Sequence, residues 1–134
     1  MTAFTLKIVT PDGLEYEGQA EEVIVRTTSG DMGILAGHTN CIAPLGMGRA
    51  MVVKDGKPRY AACIGGMVSV LNGEVRIVAT TFEWADEIDV PRAENSEKRA
   101  REMLNNQAAT DTDLRLAEAR LKRALVRKHA AQHQ

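Results

Sequence analysis

The chain has 134 residues, room for one ordinary domain or a small core with an appendage, and too few for a large multi-domain enzyme. Seventeen Lys and Arg against eighteen Asp and Glu leave a formal net charge of -1, so the molecule as a whole carries no basic footprint for nucleic acid or an anionic membrane. With 44% hydrophobic and 26% charged residues it reads as a soluble globular chain. Its longest nearly apolar stretch, Tyr60 to Leu71, contains Gly65, Gly66 and Ser69 and falls short of the ~20 residues that a membrane helix needs.

From the start of the chain, apolar and polar residues alternate at period two: Phe4, Leu6 and Ile8, then Val23 and Val25, then Val68 and Val70, then Val75, Ile77 and Ala79. The first ten residues hold one Lys and already alternate, unlike a signal peptide, so the two cysteines are expected as free thiols in a reducing compartment. Turn signals separate the runs at Pro11-Asp12-Gly13, Ser29-Gly30-Asp31, Asp55-Gly56 and Asn72-Gly73. The two short Asx-Gly pairs supply the positive φ that tight hairpins require. Short strands at this spacing predict an all-β sandwich or barrel ending near Asp86.

The composition then breaks. Residues 1–90 carry seven basic and twelve acidic side chains (net -5), whereas residues 91–134 carry ten basic and six acidic (net +4) and no glycine. Asp89 is placed to cap a helix, and Pro91 suits a first helical turn, where no backbone N–H is needed. Ala93, Ala100, Met103, Leu104 and Ala108 mark one face of that helix, with Glu94–Lys98 and Glu97–Arg101 pairs on the others. It should fade near Asn105-Asn106. Thr110-Asp111-Thr112-Asp113 is a capping cluster for a second helix whose face is Leu114, Ala117, Leu121, Ala124 and Leu125. The expected division is a β domain over 1–86 and an antiparallel helical hairpin over 87–134. Its narrow, alanine-rich stripes mean that the hairpin needs a partner surface and suits a part that changes position.

Catalytic motifs are mostly absent: there is no phosphate loop, His-Glu-x-x-His, Cys-x-x-Cys or Gly-x-Ser-x-Gly. His38 and Cys41 are the one nearby pair that suggests a base and nucleophile, but three residues apart in an extended strand they point to opposite faces, and only a loop would join them. Cys63 lies in an apolar strand and reads as a buried thiol. His129 and His133 have metal-pair spacing but no third ligand, so a fraying tail is the expectation and no metal is assigned. Gly30-Asp31-Met32-Gly33-Ile34-Leu35-Ala36-Gly37-His38 is the densest glycine segment, readable as a strand broken by turns or as an exposed contact loop.

With that segment, four pieces in fixed order make the chain resemble the epsilon subunit of bacterial F-type ATP synthases from Leu6 to about Arg127. They are Ile8-Val9-Thr10-Pro11 with Asp12-Gly13, Gly30 to Leu35 with Gly37-His38, Ile64 to Val70 with Asn72-Gly73, and Ile88-Asp89-Val90-Pro91-Arg92-Ala93. Ala36 and Asn40 stand where that family commonly has proline. The resemblance implies a β-sandwich of about ten strands followed by a C-terminal antiparallel helical hairpin. It implies a non-catalytic rotor subunit that grips the gamma subunit, rests on the c-ring and helps couple ion flow to ATP synthesis. Its hairpin would extend toward the catalytic alpha/beta head and inhibit ATP hydrolysis. It would be a peripheral component on the cytoplasmic face of the bacterial cell membrane, with no direct membrane insertion and no nucleic-acid partner.

Asp31, Met32 and His38 are the contact residues that the resemblance suggests for the c-ring and gamma. The Ile88-Asp89-x-x-Arg92-Ala93 motif, with Glu83, Arg99, Arg123 and Arg127, matches positions that bind regulatory ATP in some family members; no cofactor is required. The chemistry fits, since guanidinium forks suit phosphate oxygens and a carboxylate accepts from an amine or ribose hydroxyl. The plainer alternative is that Asp89 only caps a helix while the arginines face water. Two rival functions remain at this stage: a free-standing ligand-binding sandwich with a helical oligomerisation arm, and a small hydrolase using His38 and Cys41.

Overall fold

A computed structural model describes residues 2–132. Eight strands come first: β1 (Phe4–Thr10), β2 (Gly13–Ala20), β3 (Glu22–Thr27), β4 (Gly30–Leu35), β5 (Cys41–Pro44), β6 (Met47–Lys54), β7 (Lys57–Leu71) and β8 (Glu74–Trp84). A 3-10 turn (Ala85–Glu87) leads to helix α1 (Val90–Leu104) and helix α2 (Asp111–Ala131).

The strands run in the order β2-β1-β8-β7-β6-β3-β4, with β5 also on β7. The register divides this path into two layers. The start of β8 pairs with β1 and with the end of β7, which also carries β5; the end of β8 pairs with the start of β7, which carries β6. Each layer therefore has five strand segments, and β7 and β8 serve both.

This explains eight strands where about ten were expected: the two longest bend from layer to layer without ending. The bend in β7 falls at Gly65-Gly66, with φ of 68° and 110°. A Cβ on Gly66 would fall within the Val78 carbonyl, so the close strand approach requires glycine there.

The predicted two-residue hairpins form as expected. Asp55 and Gly56 (φ 53° and 73°) sit between paired Lys54 and Lys57, and Asn72 and Gly73 (φ 50° and 83°) between paired Leu71 and Glu74. Alternating residues from both layers meet in one core, including Leu6, Ile8, Val23, Val25, Ile34, Val68 and Ile77. The Ser29 signal is displaced by one residue, because Thr27 already pairs with Gly30.

The helices begin and end near their signals. Asp89 Oδ1 accepts a hydrogen bond from the Arg92 backbone N–H at 3.1 Å, and Thr110 with Asp113 forms a reciprocal capping box on α2. Asn105 ends α1, so Ala108 lies in the exposed link and not on the expected helix face. Leu125 also faces out, and Val126 packs inward in its place.

The hairpin docks on the outer face of the second layer through α2, which meets β6, β7 and the 3-10 turn. A seam of Ala62, Ile88 and Ala130, flanked by Val90, Val126 and Ala131, closes the junction. Among the described residues no helix is long and apolar enough to cross a membrane.

Candidate functional site

At the junction between sandwich and hairpin lies a cleft of about 300 Å³. Strand alternation puts Glu83, register partner of Ala62, on the outer face of β8, while Phe82 and Trp84 point into the core. The 3-10 turn then supplies Glu87. Ile88 is buried in the seam beneath, which anchors the chain as Asp89 emerges to cap α1. The first turns of α1 add Arg92, Ala93 and Ser96, and α2 brings Arg127 across.

The strongest contact in the cleft joins the two units: Arg127 Nε donates to Glu83 Oε1 at 2.6 Å, both side chains about one-third exposed (29% and 35%). With Glu83 so paired, Asp89, Glu87 and Arg92 are the other charged residues that line the cleft. Such a site suits a ligand that is anionic at one end and offers amino or hydroxyl hydrogens at the other. A second cross-link ties the helices, where Lys128 Nζ donates to Glu97 Oε1 at 2.7 Å and Arg101 holds the other oxygen at 3.0 Å. These hydrogen bonds, that from Lys128 foremost, hold the Glu97 carboxyl below its ordinary value near 4.5.

Of the eight nucleotide candidates, the cleft gathers Glu83, Asp89, Arg92, Ala93 and Arg127. Ile88 supports it from below without lining it. Arg99 faces a neighbouring cleft of about 610 Å³ between the helices, together with Arg120 and Leu116, and Ser96 lines both. Arg123, one turn before Arg127, lines neither of these two clefts. Glu87 and Ser96 were not anticipated. Ser96 stands four residues after Arg92 on the same helix face, a spacing that identifies it once the cleft is known.

The glycine-rich segment is an edge strand and not a loop, since Gly30–Leu35 is β4 paired only with β3. Asp31 is exposed and bridges to Arg26 at 3.2 Å. His38 follows the far end of β4, where its Nδ1 bonds to the Thr39 carbonyl at 2.8 Å. Met32 packs partly buried against the core, because it shares the face of Ile34, so the segment does not project it outward.

His38 is outside the strand, which defeats the opposite-face expectation: its Nδ1 lies 4.0 Å from Cys41 Sγ. A ring nitrogen whose hydrogen goes to a carbonyl is not free to accept the thiol proton. Burial pushes the Cys63 thiol up to about 12, as expected of an inert core cysteine. His129 is exposed near the end of α2, and His133 lies outside the described residues.

Both parts of the chain match family models: residues 3–85 match the beta-sandwich domain of the ATP synthase delta/epsilon chain, and residues 86–132 its long alpha-helix domain. The ATP synthase epsilon chain of Bacillus velezensis is 44% identical over 127 residues, 95% of this chain and 96% of that one. That of Ruminococcus albus is 41% identical over 128 residues, 95% of each.

Among solved structures, a chain of the Euglena gracilis mitochondrial ATP synthase (OSCP/F1/c-ring) superposes with a TM-score of 0.85 at 24% identity, covering 99% of this chain and 83% of that one. One from the Tetrahymena thermophila central stalk and c-ring gives 0.60 at 14% identity, with 95% of each covered. At those identities the likeness speaks for the fold alone. The sequence matches set aside both the free-standing binding module and the His38–Cys41 hydrolase. With both parts matched and relatives aligned nearly end to end above 40% identity, the chain belongs to the delta/epsilon chain family of ATP synthases, as a non-catalytic epsilon subunit.

Proposed function

We propose that the subunit works on the central stalk of ATP synthase, coupling ion translocation to ATP synthesis, and that its hairpin restrains ATP hydrolysis. What carries the regulatory part is the light hold on the hairpin. Its seam on the sandwich is half alanine, each such methyl contributing less than about 1 kcal/mol, and one ion pair among the described residues, Arg127–Glu83, crosses the cleft. A hairpin held this way can leave the sandwich at modest cost, and the net positive charge of 91–134 suits acidic segments of the alpha/beta head.

The other partners follow from the remaining surfaces. Leu14, Val9, Val78, Met67 and Pro44 are successive register partners across the outer face of the first layer, the side away from the hairpin. Five strands at ~4.8 Å spacing make this an apolar row roughly 19 Å long, the proposed seat of gamma. The exposed edge of β4, with Asp31 at one end and His38 beyond the other, is the proposed contact with the c-ring. The cleft at Asp89 and Arg92 is the proposed regulatory ATP site, favouring the docked hairpin through differential affinity. The subunit would then sit peripherally on the cytoplasmic face of the bacterial cell membrane.

The test is ATPase rate in matched complexes carrying the full chain or one ended after Asp86, with subunit content checked. The shortened subunit should assemble, support ion-driven synthesis and raise hydrolysis. Equal hydrolysis rates would remove the inhibitory role.

A further inference from the structure

The end of the second layer at the β6–β7 turn carries a basic mouth unrelated to the junction cleft. Lys54 and Lys57 are the closing register pair of this hairpin, with Cα atoms about 5.5 Å apart. Like charges directly opposite one another destabilise a strand pair. Among the described residues no carboxylate lies within 4.0 Å of either amine.

Arg59, two residues beyond Lys57 on the same face, adds a third cation. Its guanidinium is already positioned: Cζ lies 3.8 Å from the Trp84 ring centroid, and one terminal nitrogen reaches Asp86 Oδ1 at 3.8 Å. That long contact leaves most of the five N–H donors available. The three cations line a cleft of about 470 Å³ with Tyr16, Trp84 and Asp55, and Glu21 Oε1 accepts a hydrogen bond from the Gly56 backbone N–H at 2.7 Å in the turn between the lysines, so Asp55 and Glu21 are the opposing charges there.

We propose that this mouth is an anion site for a phosphate group, free in solution or carried as the phosphodiester of an anionic lipid headgroup. The ligand would relieve the Lys54–Lys57 repulsion and take bidentate hydrogen bonds from the preset Arg59 fork.

Trp84 is the chain's single tryptophan and lies under Arg59, so its emission reports on this mouth. Titration of the full chain with sodium pyrophosphate should shift that emission saturably. The double variant K54Q/K57Q, at two exposed positions, should raise the half-saturating concentration about tenfold, as expected for losing charge-assisted bonds. Arg92→Ala, in the junction cleft, should leave the Trp84 response in place.

A second arm uses phosphatidylglycerol vesicles against phosphatidylcholine vesicles. A response to pyrophosphate assigns a soluble oxyanion, and a response to phosphatidylglycerol without one to pyrophosphate assigns a headgroup. No response to either, or a response that survives K54Q/K57Q unchanged, overturns the site.

Discussion

Asp89 caps α1 with its side-chain oxygen, and in the proposed ATP site its charge has a second role separable from the first. Asp89→Ala removes both and should lower stability by about 1 kcal/mol, read from the urea midpoint, and weaken ATP binding in calorimetry. Asp89→Ser keeps an oxygen for the Arg92 N–H and should restore most of the stability without restoring nucleotide affinity. If Ser restores both, Asp89 is a cap and nothing more. Glu97 answers to pH. Its depressed pKa means that the cross-helix bonds stabilise the fold fully above about 4.5 and lose that contribution as pH falls through the lower folded-state value. Glu97→Gln should therefore shift the urea midpoint at pH 7 and have no effect at a pH where both side chains are neutral. A shift that persists in acid would point to packing instead of charge.

Some elements were readable from their chemistry and others were not. Asp-Gly and Asn-Gly announce tight hairpins because few other pairs accept two positive φ angles, and the capping residues mark both helix starts. The edge strands β2 and β4 were harder. Burial alternates along Gly30–Leu35 and the second half of Gly13–Ala20, but glycine stands at the inward Gly18 and Gly30 and leucine at the exposed Leu14 and Leu35, so the hydropathy of the sequence hides it. The strand count missed because continuity across Gly65-Gly66 is a tertiary fact. The motif pointed to three cleft residues and the resemblance added Glu83 and Arg127, but Arg99 and Arg123 depend on how the two helices rotate against each other, which periodicity does not specify. Residues 1–86, proposed as an independent unit, should unfold cooperatively when expressed alone, with the core of both layers intact. Broad, non-cooperative melting would mean that the covering of Ala62 by the hairpin is needed, and that the boundary is misplaced.

For the assembled molecule, the two ends of β4 give the orientation its test. Four residues of strand, Met32 to Leu35, and a turn at Ala36-Gly37 separate Asp31 from His38, and the strand part alone spans roughly 13 Å, so cysteine cross-linking from both positions to ring subunits requires the whole edge to lie along the ring. Capture from one end alone would tilt the sandwich, and capture of catalytic subunits from either would invert it. The pairing of β1 with β8 adds a consequence for synthesis. Leu6 is the parallel partner of Val75, so the first strand, though β2 follows it directly, emerges from the ribosome 69 residues before its partner in β8. At about 10 residues per second, Phe4, Leu6 and Ile8 wait some 7 s without their core. That makes Leu6 and Ile8, and not the more exposed apolar residues of the finished surface, the positions where a nascent chain offers itself to a chaperone.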